Sequence, residues 1–212
     1  MSTESKATEI ARRRYDRNAP FYDLMEGLIE SARFSKWRPL LWSKAEGTSI
    51  LEVGVGTGKN FPYYPADADI TAIDFSEKML EHARNRASRQ NVKVRLQKMD
   101  VQNLEFEDNT FDTVTASCVF CSVPDPVRGL MEVERVCKPG GKVVLLEHVL
   151  SANRVLALLM NLVNPLTVRM MGPNINRRTV QNVTKSGLVV ERVTDLWLEI
   201  FKLIEARKKT LS

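Results

Sequence analysis

No apolar run in this 212-residue chain approaches the roughly 20 residues that span a bilayer, which argues against a transmembrane helix. The opening residues, Met1 to Lys6, are polar and do not read as a secretory leader. Cysteine is scarce: Cys118, Cys121 and Cys137 make an odd set, which excludes a fully paired disulfide framework and favours a reducing cytoplasm over export. Histidine is scarcer still, with only His82 and His148. A zinc site built on Cys118 and Cys121 would need two further ligands, and those histidines lie on separate elements. A thioredoxin-like pair would need a fold context that is absent, so both cysteines read best as small apolar wall residues and no metal is expected. Internal repeats and low-complexity tracts are also missing. The phosphate-cradling Gly-Lys-Ser/Thr fails, because Gly58-Lys59 is followed by Asn60.

What remains is ordinary globular material, 43% apolar and 27% charged, enough for one domain or one domain with a cap. The net charge of +5 is mild, but its distribution is uneven. Arg12, Arg13 and Arg14 precede the core, Arg33, Lys36, Arg38 and Lys44 punctuate an early helix, and Arg177 and Arg178 follow a late apolar segment. Arg207, Lys208 and Lys209 add a basic tail. Such clusters beside apolar helices suit an anionic membrane surface or a phosphate headgroup, and equally suit solvated faces.

The informative segment is Glu52-Val-Gly-Val-Gly-Thr-Gly58. It ends one apolar run, and Asp74 closes the next. Glycines at 54, 56 and 58 bare the backbone and permit positive φ, so a flat polar ligand can come close. A carboxylate ending the next strand can accept two ribose hydroxyls. The spacing is not G-x-G-x-x-G, and Glu52 would repel a pyrophosphate while attracting an ammonium or sulfonium group. A nucleoside cofactor carrying a cation is the expected ligand.

Strands and helices alternate, with strands expected near 49–53, 69–74, 92–98, 111–118 and 142–148, and an antiparallel pair at 188–195 and 200–207. The expected fold is α/β, a doubly wound, mostly parallel seven-stranded Rossmann-like sheet with that C-terminal pair and a helical cap. Ser76 is placed to cap a helix carrying Met79, Leu80, Ala83 and Ala87, and Pro126 to open another carrying Leu130, Val133 and Val136. Pro62 and Pro65 shorten whatever follows the glycine loop, leaving Phe61, Tyr63 and Tyr64 as packing or lid residues, with packing preferred. Residues 1–45 are expected to form an N-terminal helical cap and 46–212 the cofactor domain, with an acceptor-site insertion at about 151–186. Within the cap, Leu24, Met25, Leu28, Ile29 and Ala32 share a helical face. Within the insertion, 154–171 is apolar and expected to break at Pro165 into two helices, either packed over the sheet or forming a cap that admits a lipid-like acceptor.

Glu52 to Gly58, Asp74, Met99-Asp100 and Lys138-Pro-Gly-Gly141 resemble the signature of class I S-adenosylmethionine-dependent methyltransferases. Tyr15-Asp-Arg-Asn-Ala-Pro-Phe-Tyr-Asp23 is similar to the opening of the ubiquinone/menaquinone C-methyltransferases. The Glu-Val-Gly-Val-Gly-Thr-Gly form resembles the bacterial phosphatidylethanolamine N-methyltransferases, and Phe120-Cys-Ser-Val123 with Glu147-His-Val149 looks like membrane-associated thiol methyltransferases. The likeness covers roughly 12–208 and implies S-adenosylmethionine as donor and S-adenosylhomocysteine as product. Gly54, Gly56 and Gly58 then give backbone approach, Asp74 holds the ribose, and Asp100 accepts from the adenine amine. Val101 and Phe75 pack the ring, Ser117 and Cys118 pass under the methionine moiety, and Tyr15 closes over it. Glu52 is expected to order the loop and counter the ammonium.

Methyl transfer from a sulfonium gains most from alignment and water exclusion, so no catalytic triad is required, and none is visible. His148, ending a strand, could deprotonate an acceptor or be merely hydrogen-bonded; Tyr22 could orient the nucleophile or cap a helix. His82 reads as inert. A buried amine acceptor would arrive neutral without a dedicated base. The favoured function is methylation of a hydrophobic or amphipathic small molecule, first phosphatidylethanolamine-type lipid, with quinone C- or thiol S-methylation as alternatives. Nucleic acid is disfavoured, since no Asn/Asp-Pro-Pro-Tyr tetrad follows the fourth strand and basic residues are not interleaved with aromatics. A non-catalytic binding partner remains the third class. Partners are a small-molecule or lipid acceptor and a peripheral contact with anionic membrane at the inner face; the oligomeric state is open, with a monomer favoured.

Overall fold

The computed structural model describes residues 6, 8–17, 33–170 and 172–210. Its centre is a seven-stranded sheet of order β3-β2-β1-β4-β5-β7-β6. The strands are β1 (Ser49–Val53), β2 (Asp69–Asp74), β3 (Arg95–Lys98), β4 (Phe111–Ser117), β5 (Cys137–His148), β6 (Val189–Trp197) and β7 (Phe201–Arg207). The first five run parallel, and β7 enters antiparallel between β5 and β6. This is the doubly wound sheet with a C-terminal antiparallel pair that the alternation of the sequence predicts. β1 and β2 are covered on both faces, which is why they read as nearly unbroken apolar runs rather than alternating ones.

Side-chain parity divides the core. Leu51, Val53, Val143 and Leu145 point to the face covered by α4 (Pro126–Val136) and α6 (Thr179–Lys185). Ile50, Val144 and Leu146 point to the other, covered by α2 (Ser35–Trp42), and Ala72 meets α3 (Glu77–Gln90) there. Trp37, Leu41 and Trp42 make α2 part of the sheet's helical layer, although it lies inside the segment expected as a cap. Local signals set the helix ends. Ser76 Oγ accepts from Met79 N at 3.2 Å to start α3, and Asn91 ends it with φ +52°. Asp125 accepts from Arg128 N at 3.0 Å, with Pro126 in the first turn of α4.

Three expectations are corrected. β3 begins at Arg95, not 92, because Val92 and Val94 are taken up in packing against α3 before the ladder starts. Residues 154–170 form one continuous helix, α5 (Arg154–Met170), with Pro165 inside it. The proline removes a single i→i−4 bond, while side chains in the turn before it are tied to the loop that follows the helix: Asn164 Oδ1 accepts from Ile175 N at 2.9 Å, and Asn176 donates to Asn161 at 2.9 Å. Arg38, read as a surface charge, is buried. A helical stretch over 8–17, α1, lies outside the sheet. Tyr22 and the apolar stripe of 24–32 lie outside the described residues.

Candidate active site

The strand order reverses between β1 and β4, and the carboxyl ends of β1 to β4 open there into a cleft. Gly54 and Gly56 line it from the β1 loop, Asp74 and Phe75 from the end of β2, and Asp100 and Val101 from the turn after β3. Ser117 and Cys118 line it from the end of β4, and Tyr15 reaches across from α1. The structure thus gathers nine of the residues expected to hold a cofactor.

The glycines have separate duties. Gly54, Gly56 and Gly58 all have positive φ, at +68°, +55° and +82°. A Cβ on Gly54 would meet Val119 Cγ2 at 2.4 Å, and one on Gly58 would meet Phe61 at 2.4 Å, so these two are packing requirements. A Cβ on Gly56 would have nothing within 4 Å. That bare space, on a residue lining the cleft, is a cradle for a ligand. Asp74 spans the loop from the other side, its Oδ2 accepting from Gly56 N and its Oδ1 from Ser76 N, both at 2.9 Å. Burial nonetheless pushes its carboxyl up to about 6, against those backbone donors and with Asp16 adding to the rise.

Glu52 and Gly58 do not line the cleft. Glu52 is buried beneath the loop, accepting from Asn60 Nδ2 at 2.5 Å and from the Tyr64 hydroxyl, and burial raises its carboxyl. Arg38 donates to Asn60 at 2.8 Å and supplies the charge that faces Glu52. Through Asn60 and Tyr64, Glu52 is tied to the segment that follows the glycine loop. Phe61 and Tyr64 are core residues here, as the packing reading has it.

Several contributors carried no sequence signal. Gln102 Nε2 donates to Asp100 Oδ2 and to Thr8 Oγ1, each at 3.0 Å, while its Oε1 accepts from Asp125 N at 2.9 Å. One side chain therefore sets the Asp100 carboxylate, the start of α4 and one end of α1. The Tyr15 hydroxyl meets Ser122 Oγ at 2.5 Å and its ring stands edge-on to Phe75 at 5.6 Å, while Ser76 donates to Asp16 at 2.5 Å. These contacts hold α1 across the cleft. A motif cannot show such polar loop residues, since their partners are far away in sequence.

The loop after β4 rests on a buried acid. Glu147 Oε1 accepts from Val119 N at 2.8 Å and Phe120 N at 3.0 Å, its Oε2 is buried with no hydrogen-bond partner among the described residues, and burial pushes the carboxyl up to about 7. Burial, with Glu147 nearby, also pushes the Cys121 thiol up to about 12, so that it stays protonated, whereas Cys118 takes φ +56° at the cleft wall. His148 does not line the cleft: its ring stands edge-on to Phe201 at 4.9 Å, and burial lowers it to about 4, leaving it neutral. His82 is exposed on α3. Among the described residues no cluster of His, Cys, Asp or Glu could hold a metal ion.

Bare-backboned Gly56, the strand-end acid Asp74 and a second acid, Asp100, with apolar neighbours thus line one cleft at the switch point of a doubly wound α/β sheet. Residues 51–145 match the family described as a methyltransferase domain. The chain is 39% identical over 142 residues to a phosphatidylethanolamine N-methyltransferase of Cereibacter sphaeroides, covering 66% of this chain and 68% of that protein. It is 33% identical over 153 residues to a ubiquinone/menaquinone biosynthesis C-methyltransferase of Bdellovibrio bacteriovorus, covering 69% and 65%. A crystal structure of an S-adenosylmethionine-dependent methyltransferase from Thermotoga maritima, described as a possible histamine N-methyltransferase, superposes with a TM-score of 0.70 at 21% identity, over 93% of this chain and 99% of that one. The chain belongs to the class I S-adenosylmethionine-dependent methyltransferases and is an enzyme of that family.

Proposed function

We propose that the enzyme methylates an amphipathic small molecule, first among them the amine of a phosphatidylethanolamine-type phospholipid, with S-adenosylmethionine as donor. The observation that carries this reading is the 39% identity, over two thirds of the chain, to a relative named for that activity. When bound, S-adenosylmethionine supplies an electrophilic methyl carbon on a sulfonium. Asp74 would accept the ribose hydroxyls and Asp100 the adenine amine; Tyr15 and Ser122 would close the methionine end. The amine nitrogen uses its lone pair to form the new N–C bond as the S–C bond breaks. Transfer would leave the donor as a neutral thioether and put the positive charge on the amine nitrogen, which would then lose a proton to solvent. The acceptor must therefore enter as the free base, a form that an apolar site favours. The chain's part is alignment and exclusion of water.

C-methylation of a quinone ring is the second reading, supported by the 33% identity to a quinone enzyme, and it needs a base at the reacting carbon. Methyl-labelled donor supplied with phosphatidylethanolamine vesicles, a demethylquinone and a small thiol separates these readings. Label in the phospholipid is the expected result. Label confined to the quinone or thiol, with donor binding intact, overturns the lipid assignment.

A further inference from the structure

Helix α5 turns its apolar side to solvent. Val155, Leu158, Leu159, Leu162, Val163 and Leu166 recur at helical spacing on one face and are 44–76% exposed. They are six of the eleven exposed large hydrophobic side chains among the described residues. The opposite face is the one held to the protein: Met160 is buried, and Asn164 is bound to Ile175 and Asn174. A helix that hides asparagine and shows leucine is inverted relative to a water-facing one, and a continuous stripe of this kind marks a docking surface.

Charge identifies the occupant. α5 contains no acidic residue, and exposed Arg154 and Arg169 stand at its two ends. Exposed Arg178 follows the loop packed along its inner side. Two copies pairing antiparallel through this face would set Arg154 against Arg169, whereas an anionic headgroup layer would meet both favourably. The helix is about 25 Å long, enough to lie in an interface. No helix among the described residues is long and apolar enough to cross a membrane. We propose that α5 docks the protein on an anionic lipid bilayer, the stripe entering the acyl boundary and the arginines meeting headgroup phosphates. The same loop links this face to the cleft. Asn174 N donates to Cys121 O at 2.9 Å and Arg177 to Val123 O at 2.8 Å, and Val123 lines the cleft, so docking would bring its rim toward the lipid surface.

The proposal does not depend on the acceptor assignment, and its test reads lipid partition without turnover. The full-length protein is sedimented with phosphatidylcholine vesicles, with and without phosphatidylglycerol, beside the variant Leu158→Glu/Leu162→Glu. Both sites are well exposed, so the variant should keep its fold, as binding of S-adenosylhomocysteine would confirm. The expected result is partition of the parent onto phosphatidylglycerol vesicles, weaker partition onto phosphatidylcholine alone, and a loss of roughly tenfold or more in the variant. A parent that stays in the supernatant overturns the proposal, as does equal partition on both vesicle types or a variant that partitions like the parent. A parent dimer in light scattering that the variant dissolves, without vesicle binding, would assign the face to a second copy instead.

Discussion

Asp74 has a carboxyl that the fold buries yet supplies with two backbone donors, from Gly56 and Ser76. Burial wins, and the group sits at about 6. Only the ionised form has lone pairs free for two ribose hydroxyls beside those backbone bonds. Donor affinity should therefore rise with pH through 6 and fall below it. Between pH 7 and pH 5 the ionised fraction drops about tenfold, and the affinity for S-adenosylhomocysteine should drop by about the same factor. Asp74→Asn should bind weakly and without this slope. Calorimetric titration at a series of pH values checks both, and a parent affinity that is flat from pH 5 to 7 refutes the assignment. Asp74 could be found from sequence because it closes an apolar run and answers a glycine loop. Gln102 could not, because it belongs to no local pattern and owes its place to partners brought in by the fold.

The loop after β1 separates two kinds of glycine that look alike in the sequence. Alanine at 54 would combine positive φ with a clash against Val119 Cγ2 at 2.4 Å, whereas alanine at 56 would face open space. Left-handed backbone costs an ordinary residue about 1–2 kcal/mol, and overpacking adds about 1–3 more. Gly56→Ala should therefore stay folded, with a modest drop in melting temperature, and lose roughly tenfold or more in cofactor affinity as its methyl enters the cradle. Gly54→Ala should lose more stability than Gly56→Ala. Thermal melts paired with cofactor titration check this, and equal stability losses in the two variants would contradict the packing difference. The strands around this loop could be read from sequence because burial on both faces leaves apolar runs bounded by turn residues. α5 was only half legible. Its apolarity is plain in the chain, but Pro165 signals a break that the contacts at Asn161 and Asn164 override. Which side of that helix faces outward could not be read either, since an apolar stripe indicates burial until the fold shows what covers it.

Taken over the whole chain, buried titratable groups shape how stability responds to pH. Glu147 rises to about 7 and Asp74 to about 6, so the native protein holds protons that the unfolded chain releases from about pH 4 upward. Their effect is to lower stability as pH increases through that window. His148, lowered to about 4, acts oppositely: the unfolded chain binds its proton below about 6.5, so this group adds stability as pH rises from 4 to 6.5. Glu46, Asp112 and Glu132 are lowered by cationic partners, and their contribution is lost only in more acidic solution. The raised acids, Glu52 among them, outweigh the histidine, so stability falls between pH 5 and 7.5. Above pH 6.5 Glu147 is the main group still titrating in the native state. Glu147→Gln keeps an acceptor for Val119 and Phe120 while copying the neutral acid, so its urea midpoint should decline less than the parent's from pH 5 to 7.5. Urea unfolding of parent and variant across this range decides the matter. A parent midpoint that climbs steadily toward pH 7.5 would mean that Glu147 is ionised in the fold, with a partner for Oε2 supplied from outside the described residues.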